Sequence, residues 1–275
     1  MTRIVFVLLF LSIVVTSLAQ KTSKGKLFII GGGSRSDAMV DRIITESGLQ
    51  NGGYGVILPM SSSDDSSAYW ANEPFINKGI QNIYGLNFVK EEILDDAKVD
   101  SVRNAKFIYI TGGDQNRFMD VVAGTAIEKA IHDAFHKGAL VSGTSAGAAV
   151  MSKLMITGNE LKYPESALKN IEENNIEIKT GLGLIHGAII DQHFVKRSRY
   201  NRLISVIIEH PDQKGIAIDE ATAILVKGRE AEVVGDSQVI VIENPKRSKV
   251  VRSGKLGASG LTMDIYLAGD RFKIN

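Results

Sequence analysis

Residues 138–151 read GALVSGTSAGAAVM, and the fold and chemistry of the chain turn on this stretch. An apolar run breaks into small residues, sets Ser145 between Gly143 and Gly147, and resumes as an alanine-rich segment. This is G-x-S-x-G after a strand-like run and before a helix-compatible one. A sharp strand-to-helix turn exposes a serine hydroxyl, and the flanking glycines let the backbone pass closely. The amide of the next residue, Ala146, can then face a developing oxyanion. A nucleophile at Ser145 also needs a base, an acid to orient that base, and a second oxyanion donor.

Working outward, LFIIGGG (27–33), YGVILPM (54–60) and AKFIYITGG (105–113) are further short apolar runs ending in Gly or Pro. Runs of this kind suit parallel strands covered on both faces. Helical patterns separate them: SDAMVDRIITESG (36–48), SSAYWANEPFINKG (66–79) and NRFMDVVAGTAIEKAIHDAFHKG (116–138). In the last, Phe118, Val121, Val122, Ile127, Ile131 and Phe135 recur at helical spacing up to Gly138, which predicts one long helix. Strand–helix alternation means a doubly wound α/β fold. Beyond Ile185, GAIIDQHFV reads as a strand and RLISVIIEH as a helix stopped by Pro211. GIAIDE, TAILVKG, EAEVVG and QVIVIE then suit hairpins, and LTMDIYLAGDRFKI a last strand.

The 275 residues are 44% hydrophobic and 23% charged, an ordinary globular balance. MTRIVFVLLFLSIVVTSLAQ, with one basic residue, an apolar run and a small-residue site at Ser17-Leu18-Ala19, reads as a leader cleaved after residue 19. Residues 20–275 are then expected to form one catalytic α/β domain, secreted or periplasmic. Cleavage removes Arg3 and no acid, leaving 31 of the 32 basic residues against 31 acidic ones. That balance argues against general nucleic-acid binding. No later segment is long and apolar enough to span a membrane. The chain has no cysteine, which excludes disulfides, thiolate metal sites and cysteine proteolysis. Gly31-Gly32-Gly33-Ser34-Arg35-Ser36 is not the dinucleotide fingerprint, and no cofactor is expected.

A serine nucleophile calls for a general base, and five histidines are present. His132 and His136 lie four apart with no third ligand, a solvated helix face. His210 precedes Pro211 at a helix end, and His186 lies in a glycine-bounded turn. His193, in Ile190-Asp191-Gln192-His193-Phe194, closes an apolar run and is the base candidate. GIAIDE places Asp219 and Glu220 at the end of another strand, and periodicity does not choose between them. Thr111-Gly112-Gly113-Asp114-Gln115 is a second glycine turn at the same sheet edge. Its amides at Gly113 or Asp114 suit an oxyanion hole, Gln115 suits a substrate contact, and Asp114 also suits a helix N-cap.

These pieces in this order resemble the cyanophycinase and aspartyl dipeptidase (peptidase E) family of serine peptidases. The resemblance rests on IIGGG (29–33), ITGGDQ (110–115), GTSAGA (143–148), GLGL (181–184), DQHF (191–194) and GIAIDE (215–220), within Leu27 to Glu243. It implies Ser145 as nucleophile, His193 as general base and Glu220 as orienting acid. It also implies a glutamine-amidotransferase-like three-layer α/β/α sandwich with a mainly parallel sheet and C-terminal hairpins, and a homodimer. The order serine, histidine, glutamate differs from that of α/β-hydrolases, whose acid precedes the histidine.

FVKRSRYNRL (194–203) favours the cyanophycinase branch. By resemblance Arg197, Arg199 and Arg202, with Gln115, Asp191 and Gln192, would hold a β-aspartyl-arginine unit. Guanidinium forks pair with carboxylates, and Asp191 could receive a substrate guanidinium. The implied reaction releases β-aspartyl-arginine from multi-L-arginyl-poly-L-aspartate through an acyl-enzyme. The alternatives are an aspartyl dipeptidase with the same triad and a non-catalytic surface peptide binder. Two segments depart from that branch: Ser34-Arg35-Ser36 lacks its acidic residue, and Lys196-Arg197-Ser198-Arg199 replaces a smaller, glycine-containing version.

Overall fold

Each apolar run that ends in Gly, Pro or Ser forms a buried strand. A computed structural model of the chain describes residues 25–90, 96–163, 165 and 169–274; the leader-like residues 1–19 lie outside the described residues. The first half runs β1 (Lys26–Ile30), α1 (Asp37–Ser47), β2 (Gly55–Leu58), α2 (Ser67–Asn77), β3 (Ile83–Gly85), α3 (Asp96–Arg103), β4 (Phe107–Ile110), α4 (Gln115–Val122), α5 (Ala126–Lys137), β5 (Leu140–Thr144) and α6 (Ala146–Ala149). It continues with β6 (Leu154–Glu160), β7 (Ile176–Thr180), β8 (Ala188–Gln192), α7 (Tyr200–Glu209), β9 (Lys214–Ile218), β10 (Thr222–Lys227), β11 (Glu230–Gly235) and β12 (Val239–Glu243). The last strands are β13 (Val250–Arg252), β14 (Lys255–Gly257), β15 (Thr262–Tyr266) and β16 (Arg271–Lys273).

The main sheet has the order β16-β11-β10-β1-β5-β4-β2-β3. Its five strands from β1 to β3 are parallel, and β10, β11 and β16 extend it antiparallel. Because side chains alternate across a strand, β1 sends Phe28 and Ile30 to one face and Leu27 and Ile29 to the other. The first pair packs with Met39, Val40 and Ile43 of α1 and Ala71 and Phe75 of α2. The second pair packs with residues of α3, α4 and α5. The sheet is thus covered by helices on both faces, the expected α/β/α arrangement.

A second sheet, ordered β15-β12-β9-β8, also leans on that second face through Ile190, Ile216, Ile218, Val239 and Val241. Its far side, with Ile189, Ala217, Ile240 and Ile242, is covered by Leu203, Val206 and Ile207 of α7. The C-terminal strands are therefore not a plain succession of hairpins. β10 and β11 form one, but β9 and β10 lie in different sheets, and β12 returns to pair with β9. The chain switches sheets at Ala221, which holds φ at 53°.

The single helix expected over 116–138 is two. Gly124 takes φ 73°, and Thr125 caps α5 by accepting the Ile127 amide. The apolar spacing carries the signal: Val122 to Ile127 is five residues, off the helical period. In α2, Pro74 has no N–H to give the Trp70 carbonyl four residues back. Arg35 supplies one, donating to the carbonyls of Trp70 at 3.3 Å and Ala71 at 3.0 Å while its guanidinium lies 5.1 Å above the Tyr109 ring. The loop after β1 is thereby pinned to α2. Among the described residues no helix is long and apolar enough to cross a membrane.

Candidate active site

The C-terminal ends of β1, β4, β5, β8 and β9 meet at one place, and the end of β1 is its centre. The carbonyl of Ile30 accepts the amide of Ser145 at 3.0 Å, that of Gly31 the amide of His193 at 2.9 Å, and that of Gly32 the amide of Ala221 at 2.9 Å. Consecutive residues of one strand end thus hold the segments carrying Ser145, His193 and Glu220. The approach is close enough to require glycine. A Cβ at Gly32 would stand 2.2 Å from the His193 ring, and one at Gly31 2.2 Å from the Asp219 carbonyl.

On this frame His193 Nε2 lies 2.8 Å from Ser145 Oγ, and His193 Nδ1 lies 2.7 Å from Glu220 Oε1. Ser145 sits at φ 53° and ψ −109°, and His193 at φ 50°. Non-glycine residues in such conformations cost about 1–3 kcal/mol each and cluster at functional sites. The glycines flanking Ser145 allow the turn, since a Cβ on Gly143 would meet the Gly147 carbonyl oxygen at 2.3 Å. His193 is buried, and burial pushes its pKa below the ordinary histidine value. The Glu220 hydrogen bond opposes that shift, while Arg197 and Arg199 add to it.

Asp219 and Glu220 have different surroundings. Asp219 is buried; its carboxylate accepts the Lys196 amide at 2.9 Å and the Ser237 hydroxyl at 2.8 Å, bracing the loop after His193. Glu220, one residue on, faces the imidazole.

In the second glycine turn, a Cβ at Gly112 would be 3.5 Å from Ser145 Cβ. Asp114 acts as the N-cap of α4, its side chain accepting the Asn116 amide at 2.7 Å. Its own amide donates to the Ser61 carbonyl at 2.8 Å, which removes it from the expected oxyanion donors. Among the described residues the amides of Gly113 and Ala146 have no such partner. Ser61 was not singled out in the sequence, yet its hydroxyl lies 2.7 Å from the Thr111 carbonyl and 3.0 Å from that of Gly112. The available signal was its place just past the apolar run of β2, where the other site loops also begin.

The expected substrate contacts divide. Asp191 is fully buried, with Arg202 Nε donating to its Oδ2 at 2.8 Å, Arg202 Nη2 to its Oδ1, and the Gln192 amide to Oδ1 at 2.7 Å. Arg202 is itself buried and also donates to Gln192 Oε1 at 2.9 Å. Asp191 and Arg202 satisfy each other, so neither is free to take a substrate charge as the sequence reading expected. Arg199, half-buried, donates to the carbonyl and the side-chain oxygen of Gln192. Its pKa is lowered to about 10 by burial and the neighbouring Arg202, which leaves it cationic at neutral pH. Arg197 is exposed. Buried Gln115 donates to the carbonyls of Ile156 at 3.0 Å and Thr157, so its side-chain oxygen is the group left for a ligand.

His136 is exposed, as expected of a solvated face, with Nδ1 2.7 Å from the His132 carbonyl of its own helix, whereas His132 is half-buried with Nε2 2.8 Å from the Leu182 carbonyl. Among the described residues no group of three or more His, Cys, Asp or Glu side chains is placed to hold a metal ion. The buried pair gives a test of position against substrate contact. Removing one partner strands a buried charge, so Arg202→Ala should lower unfolding stability by about 3–5 kcal/mol. Arg197→Ala should change it by less than about 0.5 kcal/mol. Urea unfolding followed by circular dichroism measures both, and equal small changes would contradict the bracing role.

Comparison with known proteins identifies the family. The family model of peptidase family S51 matches residues 27–234. A cyanophycinase from Nostoc sp. is 33% identical over 209 residues, covering 73% of this chain and 68% of that protein. A cyanophycinase from Geminocystis herdmanii is 36% identical over 179 residues, covering 62% of this chain and 63% of that protein. The crystal structure of a peptidase from an acI-B1 actinobacterium superposes with a TM-score of 0.67 over 92% of this chain and 98% of that one. At 20% identity it speaks to the fold alone. The chain belongs to peptidase family S51 and is a serine-type peptidase.

Proposed function

We propose that the chain is an exopeptidase that releases β-aspartyl-arginine units from cyanophycin through an acyl-enzyme on Ser145. The observation that carries this reading is the continuous path from Ser145 Oγ through both ring nitrogens of His193 to Glu220, at 2.8 and 2.7 Å. Glu220 accepts a hydrogen bond from Nδ1–H, which leaves Nε2 as the acceptor toward Ser145. His193 takes the Ser145 proton as Oγ attacks the scissile carbonyl. The amides of Gly113 and Ala146 face the resulting oxyanion; one such donor is worth roughly 10²–10³ in turnover. Collapse expels the amine, which leaves with the proton from His193. Water then adds to the acyl group by the same steps and frees Ser145.

The substrate assignment rests on the named relatives and on the cationic rim. Arg197 and half-buried Arg199 stand just past His193, placed to meet the free α-carboxylates of the arginyl units, since a β-aspartyl link consumes the aspartyl side-chain carboxyl. Export rests on residues 1–19 of the sequence, and a homodimer on family membership; both belong to the proposal.

Two measurements test the reading. Cyanophycin incubated with the chain should yield β-aspartyl-arginine by mass spectrometry, and Ser145→Ala should yield none while keeping its circular dichroism spectrum. Release of an aspartyl dipeptide's amino acids but not of cyanophycin's units would keep the triad and replace the substrate.

The pH profile follows from His193. A base acts in its neutral form, and a pKa held below the ordinary 6.5 keeps it neutral as pH falls through that value. The acid limb of kcat/KM should therefore lie below pH 6.5. Glu220→Gln removes the influence that raises the pKa, so the limb should move further acid as turnover falls. An acid limb above pH 6.5 would contradict this electrostatic account.

A further inference from the structure

A carboxylate that the triad does not use stands beside the Gln115 wall of the site. The β6–β7 pairing runs to Ile156↔Ile178 and resumes only at Glu160↔Ile176, so Thr157, Gly158 and Asn159 bulge out of register. Bulges next to active sites re-aim side chains. This one turns two donors onto Glu177: Thr157 Oγ1 bonds its Oε2 at 2.7 Å, and Asn159 Nδ2 bonds the same oxygen at 2.9 Å. Those bonds favour the ionised form and hold Glu177 below the usual carboxylate range. Among the described residues its Oε1 pairs with the Lys179 ammonium alone, at 3.7 Å, and the side chain keeps 23% exposure. One oxygen is fixed by two short bonds, and the other is held only by a long ion pair to an exposed lysine.

Gln115 ties this bulge to the catalytic loop. It is the first residue of α4, three residues past Gly112, whose ideal Cβ is 3.5 Å from Ser145 Cβ, and its amide nitrogen bonds the Ile156 and Thr157 carbonyls. The cations Arg197 and Arg199 follow His193 in the chain and act on its imidazole. Asp191 is closed by Arg202, and Asp219 by Lys196 and Ser237, whereas the second oxygen of Glu177 has only the long ion pair with exposed Lys179, which a guanidinium would replace. We propose that Glu177 Oε1 accepts the cationic side chain of the substrate, a guanidinium in an aspartyl-arginine unit. Thr157 and Asn159 hold it in place, and Gln115 sets the distance to Ser145. The assignment rests on the reading of Ser145 as the reacting centre.

Binding tests it without requiring turnover. In the Ser145→Ala chain, calorimetry with β-aspartyl-arginine and with its uncharged isostere β-aspartyl-citrulline should show the arginine ligand bound roughly tenfold to hundredfold more tightly, the range for a hydrogen bond to a charged group. Adding Glu177→Gln, which keeps an oxygen for Thr157 and Asn159, should weaken the arginine ligand alone and erase the preference. Glu177→Asp keeps the charge and should keep part of it, which separates lost charge from a disturbed bulge. A preference that survives Glu177→Gln, equal affinity for the two ligands, or binding of neither would overturn the proposal. Failure of the Ser145 reading would appear instead as a wild-type chain that releases no dipeptide.

Discussion

Three consecutive backbone carbonyls, those of Ile30, Gly31 and Gly32, receive the amides of Ser145, His193 and Ala221. Everything at the site is referenced to this strand end. Ser145, His193 and Glu220 lie 48 and 27 residues apart in the chain and follow the ends of strands in two different sheets. A hydrogen bond of 2.8 Å between their side chains survives only if their backbones are fixed to a common body. β1 is that body because it sits between β10 and β5 in the main sheet while its last residues reach the second sheet. The glycines there are needed for closeness: side chains at 31 or 32 would occupy the space of the Asp219 carbonyl or the His193 ring. The glycine run that fails the dinucleotide fingerprint is the frame of the candidate site.

A second layer of constraint is electrostatic. His193 has Arg197 and Arg199 on one side and Glu220 on the other, and burial outweighs the carboxylate. The imidazole is thereby kept neutral and able to accept a proton. The guanidinium of Arg202 is spent on Asp191, and this buried pair with Gln192 stiffens the end of β8, from which His193 projects. Buried ion pairs add little net stability over apolar replacements. Here the pair's contribution is positional, fixing the residues that precede His193.

Much of this was legible in the sequence. The strands β1, β2, β4 and β5 announce themselves as apolar runs with turn residues at their ends, and the elbow around Ser145 follows from glycines at 143 and 147. The resemblance named Glu220, but only the fold shows why Asp219 is excluded: its carboxylate is consumed by the Lys196 amide and the Ser237 hydroxyl. The partnership of Asp191 with Arg202 spans a strand end and the first turn of α7, a contact that no local pattern encodes. The same holds for Ser61 at the Thr111–Gly112 loop and for Glu177 opposite the β6 bulge. The sheet switch at Ala221 was hidden because strands in different sheets read alike when both are buried.

The most direct test of the central claim is labelling by a serine-directed phosphonate, read by peptide mapping in the native chain and in His193→Asn. A Ser145 activated by His193 should carry one adduct, on the peptide containing residue 145, and the histidine variant should lose it. No adduct at Ser145, or labelling that persists unchanged without His193, would contradict the account.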